Sequence, residues 1–241
     1  MRGFSMGGAA CWQFAVHYPS MWCAAAPGAG FSETADFLNV FQNEKVAPAD
    51  YEKKLWHMYD CTDYAINLFN LPTVAYSGEI DKQKQAADMM EKAMKAEGLT
   101  LTHIIGPKTG HSYHPDAKKE INARIDAFVE KGRPLLPPVV KFTTWTLRYN
   151  NSYWVTVDGL AQHWERGRVE AALVEQTGLK VSTSGVTALT LSIPAGQTTF
   201  KPTKEVTIDI DGTQIVGPKL AADGSLKVQL AKTASGWKLG A

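Results

Sequence analysis

The chain opens on Gly3-Phe4-Ser5-Met6-Gly7-Gly8, and this Gly-x-Ser-x-Gly spacing constrains the fold more than any other stretch. A serine in such a motif sits on an abrupt strand-to-helix turn, with small residues two positions before and after it leaving room for the turn. The helix side is clear, because apolar residues recur at helical spacing over residues 11–16 and the pattern stops near Tyr18. Only Met1 and Arg2 precede the motif, so the sequence predicts no strand before the serine.

Residues 1–133 alternate between helix and strand patterns after this start. Strands are predicted over residues 21–26, 71–77 and 100–105, and helices over 83–97 and 115–131, with a polar and aromatic helical segment over 31–70. Strands and helices that alternate in this way form a parallel sheet covered on both faces. The first half is therefore predicted to be an α/β domain.

The pattern changes at Pro134. Three prolines in residues 134–138 predict a stiff linker, and residues 139–241 carry short strand patterns separated by turn signals, which indicates a sandwich-like all-β domain. Hairpin turns are predicted at Asn150-Asn151 and at Asp211-Gly212. The aromatic residues of this domain either fill its core or bind carbohydrate: they include Trp145, Tyr149, Tyr153, Trp154 and Trp164.

Composition narrows the classes of function. A net charge of +1 over 241 residues argues against a nucleic-acid partner or a charged membrane face. No apolar run is long enough for a membrane helix, and no signal peptide opens the chain, so a soluble protein of unassigned compartment is expected. Three cysteines without a Cys-x-x-Cys spacing predict neither a disulfide framework nor a thiolate metal site.

The chemistry of Ser5 depends on partners further along the chain. A serine hydroxyl becomes a nucleophile when an imidazole takes its proton and a carboxylate orients that imidazole. Glu79 and Asp81 follow one predicted strand and His111 follows the next, at the strand ends where active groups gather in parallel sheets. From the residues alone, Glu79 competes with Asp81 as the acid, and His114 competes with His111 as the base. Ser5 as a plain helix N-cap, and His111 with His114 as a metal pair, are further alternatives. The other four histidines have no evident chemical partner: His17, His57, His103 and His163.

Together these motifs resemble the C-terminal part of an α/β-hydrolase catalytic domain, most closely the prolyl-oligopeptidase-type and related carboxylesterase branch. The resemblance rests on the opening motif, on Ser77-Gly78-Glu79-Ile80-Asp81 and on Gly110-His111, in the order of the family. It implies that Ser5 is the nucleophile, Asp81 the orienting acid and His111 the base. It also implies that the backbone N–H of Met6 is one oxyanion donor, and that neither a cofactor nor a metal is needed.

The family differs from this sequence in the part that precedes the serine motif. Family members have several strands before that motif, and a loop among those strands donates a second oxyanion N–H. We therefore expect one of three situations: a piece of a longer gene product, a second copy of the chain that covers the exposed sheet edge, or a C-terminal β-domain that partly shields the core. We also expect the chains to associate as a homo-oligomer. The leading hypothesis is a serine carboxylesterase that hydrolyses small short-chain esters. The alternatives are a prolyl-oligopeptidase-like peptidase and a binding or structural module with little catalysis.

Overall fold

The computed structural model of the chain describes residues 1–174, 178–198, 200 and 205–240. The chain divides into two units, Met1–Arg133 and Pro134–Ala241, which are called unit 1 and unit 2 below. Residues 168–175 carry one of the strand patterns predicted in the second half of the chain. The structure describes this stretch as a strand as far as Val174, and Glu175 lies outside the described residues.

Unit 1 is a parallel sheet with helices. Its strands and α-helices are β1 (Arg2–Phe4), α1 (Met6–His17), β2 (Ala26–Gly28), α2 (Thr34–Asp36), α3 (Asp50–Trp56), β3 (Val74–Gly78), α4 (Lys84–Ala96), β4 (Thr102–Gly106) and α5 (Pro115–Lys131). Segments of 3₁₀-helix span Pro19–Met21 and Cys61–Asn70, and a π-helical turn spans Phe37–Phe41. Within residues 1–133, all of which are described, four strands lie in the order β1-β2-β3-β4 and pair in parallel. The predicted mixed α/β architecture is confirmed for this unit.

Side chains alternate between the two faces of this sheet, as the pleat of a strand requires. On β3, Val74 and Tyr76 pack against the apolar stripe of α5 that contains Ile121 and Ile125. On the other face, α1 and α4 bury apolar residues such as Trp12 and Met90. The strand ends that carry the candidate site therefore rest on a sheet that is packed from both sides.

The prediction that no strand precedes Ser5 was wrong. Arg2, Gly3 and Phe4 form β1, which pairs in parallel with β2 in the register Gly3 to Pro27. A pattern of three residues is too short to be recognised as a strand. These residues are extended because they pair with β2, which lies more than 20 residues away in the sequence.

The first predicted strand was misplaced. Residues 21–26 were expected to be extended with Pro27 in the exit loop, but the strand is Ala26–Gly28 and includes the proline. The N–H of Ala26 donates to Met1 O at 2.9 Å on the β1 side, and the N–H groups of Ala25 and Ala29 donate to carbonyls on the β3 side. Pro27 removes one donor on the β3 side, and the strand tolerates this loss because the pairing there is short: Gly28 lies opposite Tyr76, and an isolated bridge joins Ala25 to Thr73.

Unit 2 is built from strands in its described residues, apart from a 3₁₀ turn at Leu147–Tyr149. The strands are β5 (Val139–Thr144), β6 (Asn151–Ser152), β7 (Val155–Leu160), β8 (Gly167–Val174), β9 (Gly178–Ser184), β10 (Val186–Ile193), β11 (Glu205–Ile210), β12 (Thr213–Lys219), β13 (Leu226–Thr233) and β14 (Gly236–Leu239). They form two described sheets, ordered β14-β13-β10-β7-β6 and β12-β11-β9-β8-β5, and both contribute to one apolar core. Trp154 belongs to that core, 1% exposed, with its indole N–H donating to Pro137 O at 2.8 Å, so it is not available to bind a carbohydrate.

One predicted hairpin of unit 2 forms and one does not. Asp211 and Gly212 have φ values of 49° and 80°, and they join β11 to β12 as a turn with two left-handed residues. Asn150-Asn151 is not such a turn, because β5 ends at Thr144 and pairs with β8. The hydroxyl of Thr144 donates to Thr146 O at 2.7 Å, which turns the chain out of the strand early.

None of the helices in the described residues combines the length and the apolar character needed to cross a lipid bilayer. All three cysteines are free thiols; Cys11 and Cys61 are buried, and Cys23 is partly exposed. Burial raises the pKa of the Cys11 thiol to about 11, so this group is a neutral core side chain.

Candidate active site

Ser5 sits on a sharp turn between β1 and α1. Its backbone has φ 56° and ψ −119°, a combination that residues other than glycine rarely adopt. The N–H of Ser5 donates to Gly28 O at 2.9 Å, and the carbonyl of Ser5 accepts from the Ala9 N–H at 3.0 Å. The side chain makes no capping hydrogen bond to the helix, so Ser5 is not an ordinary N-cap. The turn instead directs the hydroxyl away from α1.

Glycines allow this turn, but not the pair that the motif suggested. A Cβ atom on Gly3 would lie 1.9 Å from the carbonyl oxygen of Gly7, and one on Gly8 would lie 2.1 Å from the carbonyl oxygen of Gly28. A Cβ on Gly7 would meet nothing within 4 Å. The close approach after the serine therefore belongs to Gly8, which lets the start of α1 lie directly against β2.

The structure brings Ser5, His111 and Asp81 together in one line of hydrogen bonds. The Ser5 Oγ atom lies 2.8 Å from Nε2 of His111, and Nδ1 of the same ring lies 2.8 Å from Oδ2 of Asp81. When Nδ1 donates to the carboxylate, Nε2 has its lone pair free to accept the serine hydroxyl. This is the arrangement in which an imidazole can remove the proton of a serine.

The choice between the two acids is decided by where their oxygens point. The Asp81 side chain is 4% exposed, and its second oxygen, Oδ1, accepts from the Gln83 N–H at 2.9 Å. Glu79 does not reach the imidazole; its Oε2 accepts from the Lys108 N–H at 2.6 Å. Asp81 is thus the residue that contacts His111, whereas Glu79 holds the loop that follows β4.

The loop that carries His111 is fixed from below by Tyr76 of β3, which is 1% exposed. Its hydroxyl donates to Ser112 O at 2.8 Å and accepts from the His114 N–H at 2.8 Å. The ring of Phe4 lies 4.9 Å from the His111 ring between centroids, so the residue before the serine packs on the imidazole. Sequence reasoning missed Tyr76 because nothing local distinguishes it from any other aromatic in a buried strand.

The competing histidine has a different position. His114 is the residue before α5, and its backbone rather than its ring takes part in the bond to Tyr76. No described contact joins its ring to Ser5 or Asp81. The structure therefore assembles the hydrogen-bonded line through His111 alone among the described histidines.

Met6 is the first residue of α1, so its N–H is one of those that a helix leaves without an intrahelical acceptor. Met6 is 83% exposed, which places the residue at the open side of the turn. The positive end of the helix dipole also lies at this position. Both features suit an N–H that stabilises negative charge beside Ser5.

The sequence reasoning also missed partners of two other histidines. Nδ1 of His57 lies 2.7 Å from an oxygen of Asp63, and Nε2 of His103 lies 3.0 Å from the Ser77 hydroxyl. The prediction that both lack chemical partners was wrong. His103 and Ser77 stand on neighbouring strands, β4 and β3, so only the sheet register brings them together.

Comparison with known proteins gave similarities of structure only. No protein-family model matches the chain, and no curated protein matches it in sequence. Similar solved structures include an acylaminoacyl peptidase of Pyrococcus horikoshii, at 16% identity and a TM-score of 0.44 over 56% of this chain and 24% of that one. An S-formylglutathione hydrolase of Agrobacterium tumefaciens has 21% identity and a TM-score of 0.40, over 54% of this chain and 47% of its own. A ferulic acid esterase has 15% identity and a TM-score of 0.37, over 51% of this chain and 48% of its own. The chain thus spans between about a quarter and about half of these proteins.

The geometry of unit 1 resembles one known arrangement. A parallel sheet, a strained serine between a strand and a helix, an acid after β3 and a histidine after β4 fit a partial α/β-hydrolase domain.

Proposed function

We propose that this chain is a serine hydrolase, and more narrowly a carboxylesterase that hydrolyses short-chain esters through an acyl-enzyme on Ser5. The single observation that carries the proposal is the hydrogen-bonded line from Ser5 through His111 to Asp81, with both distances at 2.8 Å. A serine that only caps a helix, or a histidine that is only structural, does not need this contact between a strained serine and an oriented imidazole. An activated nucleophile needs it, because the imidazole must take the proton of the hydroxyl.

The reaction follows from the positions of these groups. Ser5 Oγ attacks the ester carbonyl carbon while Nε2 of His111 takes the hydroxyl proton, and the Met6 N–H donates to the oxygen that becomes negative. His111 returns the proton to the leaving alcohol. Water then attacks the acyl-serine by the same route, with Asp81 stabilising the charged ring in both halves.

The ester substrate is proposed from the character of the site. The His111 side chain is 40% exposed, and Met6, which follows Ser5 in the chain, is largely exposed, so the proposed nucleophile is open to solvent. An open site favours small, activated acyl groups over long peptides, which need extended contacts to be positioned. We also propose that the chain works as a homo-oligomer, because the edge strand β1 has a strand neighbour on one side only within residues 1–133.

Hydrolysis of p-nitrophenyl acetate and butyrate tests the proposal, together with labelling by a fluorophosphonate probe. We expect turnover and labelling in the wild type, loss of both in Ser5→Ala, and retention of both in the matched control Ser112→Ala. Ser112 is an exposed serine next to the catalytic histidine. Unchanged turnover in Ser5→Ala contradicts the mechanism. Hydrolysis of a proline-containing amide without ester hydrolysis favours a peptidase instead, and absence of labelling favours a non-catalytic module.

A further inference from the structure

Three side chains with metal-binding atoms meet between α4 and β4, outside the site described above. Asp88 and Glu91 are three residues apart on α4, which places them on one face of the helix, and His103 lies on β4. Their ligand atoms all lie within 4.8 Å of one another. The sequence analysis predicted no metal site, because a complete helix-to-strand connection separates the histidine from the two acids.

The imidazole of His103 is buried and aimed at the two carboxylates. Its side chain is 6% exposed, and Nδ1 lies 3.8 Å from an oxygen of Asp88 and 3.8 Å from an oxygen of Glu91. Both distances exceed a hydrogen bond. The other ring nitrogen, Nε2, lies 3.0 Å from the hydroxyl of the buried Ser77. Proteins hold metal-binding histidines in this way, with one ring nitrogen fixed by a hydrogen bond and the other facing the ion.

The spacing of these atoms suits an ion between them. Zinc binds nitrogen and oxygen ligands at about 2.0–2.2 Å, so two ligands of a tetrahedral ion lie roughly 3.4 Å apart. The carboxylate oxygens, which lie 3.8 Å from the imidazole nitrogen and within 4.8 Å of one another, must move inward to reach this spacing. That movement is open to them, because the Asp88 and Glu91 side chains are 45% and 52% exposed.

We propose that His103, Asp88 and Glu91 form a binding site for a divalent transition-metal ion of the zinc type. One imidazole and two carboxylates are a donor set that such ions accept, with water completing the shell on the exposed side. The bound ion ties α4 to β4. It acts on structure rather than on the reaction, and the proposal does not depend on the esterase assignment.

Lys84 supplies the competing explanation. Its Nζ donates to both oxygens of Asp88, at 2.6 and 2.8 Å, so the cluster also forms a network of ion pairs without a metal. The lysine side chain is 33% exposed and can leave Asp88 for water when an ion arrives. The two explanations therefore predict different results when Lys84 is removed. A metal site gains affinity, because a competing positive charge is lost, whereas a network of ion pairs gains no affinity for zinc.

The experiment uses the full chain without a histidine tag, stripped with a chelator and titrated with Zn²⁺ by calorimetry while the melting temperature is followed. We expect one saturable ion per chain and a raised melting temperature. His103→Gln should lose the binding, Ser77→Ala should weaken it by about tenfold, and Lys84→Gln should tighten it by about twofold to fivefold. His163→Gln is the matched control, since it removes an exposed imidazole of unit 2 and should leave the affinity unchanged.

Because His103 is buried, the His103→Gln variant could fail to fold. Glu91→Gln, which changes a half-exposed ligand of the same site, then tests the zinc affinity instead. Loss of zinc affinity in Glu91→Gln, with the affinity kept in His163→Gln, supports the site. The proposal is overturned by a wild type without saturable binding. It is also overturned if the His103→Gln and Glu91→Gln variants bind zinc as tightly as the wild type does. A Lys84→Gln variant that binds zinc no more tightly than the wild type overturns it as well.

Discussion

Replacing Asp81 by asparagine should reverse the hydrogen bond that orients His111. Asp81 accepts from the Gln83 N–H at 2.9 Å through Oδ1 and lies 2.8 Å from His111 Nδ1 through Oδ2. An asparagine keeps its carbonyl oxygen on the Gln83 N–H, which turns its NH₂ group towards the ring. Nδ1 must then accept, so the ring proton moves to Nε2. In that tautomer the imidazole has no lone pair for the hydroxyl of Ser5.

The size of the effect follows from this tautomer. In a serine–histidine–aspartate site the same exchange lowers kcat by about 10⁴-fold, which corresponds to about 5.5 kcal/mol of transition-state stabilisation. The Asp81 side chain is only 4% exposed, so water does not replace the lost carboxylate. We therefore expect Asp81→Asn to fall in this range for p-nitrophenyl acetate.

Steady-state kcat with p-nitrophenyl acetate measures the loss, and circular dichroism verifies that the variant is folded. Glu79→Gln is the matched control, because an amide oxygen can still accept from the Lys108 N–H that Glu79 binds at 2.6 Å. We expect less than about a tenfold loss there. The reasoning is refuted if Asp81→Asn keeps kcat within about tenfold of the wild type, or if Glu79→Gln falls as far.

Two further predictions concern stability. Gly8→Ala should destabilise unit 1 by about 1–3 kcal/mol, since the added Cβ would lie 2.1 Å from Gly28 O. Gly7→Ala is the control and should not destabilise it, because a Cβ there would meet nothing within 4 Å. Urea unfolding midpoints check both variants, and a lower midpoint for Gly7→Ala would contradict the prediction. Burial raises the pKa of Asp60 from 3.8 to about 7, so the folded state binds a proton that the unfolded state releases, and wild-type stability from this group falls as the pH rises from about 4 to about 7. Asp60→Asn removes that loss, and its free energy of unfolding relative to the wild type should increase by up to about 4 kcal/mol between pH 4 and pH 8 in denaturant titrations. Asp50→Asn, at a side chain that is 97% exposed, should give no such trend, and a flat difference for Asp60→Asn would show that the carboxyl does not carry the proton.

Sequence patterns predicted the parts of unit 1 whose signals are local. The α5 helix begins at Pro115 and ends at Lys131 as predicted, because a proline suits the first turn and Gly132, with φ 75°, suits the position after the last. The helix predicted over residues 83–97 differs from α4 by one residue at each end. Asp81 and His111 could be proposed from the sequence because each follows a strand pattern, and Ser5 could be proposed because it lies in the Gly-x-Ser-x-Gly motif before a helix pattern.

Long-range contacts account for what the patterns did not predict. The three residues of β1 are extended because they pair with β2. Gly8 rather than Gly7 is required because Gly28 of β2 lies beside it. The cluster of His103, Asp88 and Glu91 depends on how α4 lies along β4. None of these neighbours is close in sequence, so no local window contains the information.

The backbone of Ser5 gives the strongest physical reason to treat this turn as functional. A non-glycine residue in a rarely populated conformation costs on the order of 1–3 kcal/mol, which a serine used only to cap a helix would avoid by adopting extended angles. The bonds from the Ser5 N–H to Gly28 O and from the Ala9 N–H to Ser5 O hold the turn instead, and the hydroxyl is left for His111. Because the close contacts at Gly3 and Gly8 leave the backbone little room to relax, the strain is maintained by packing rather than by the serine itself. Ser5→Ala should therefore remove the nucleophile while leaving the turn in place, which makes it a clean test of chemistry rather than of folding.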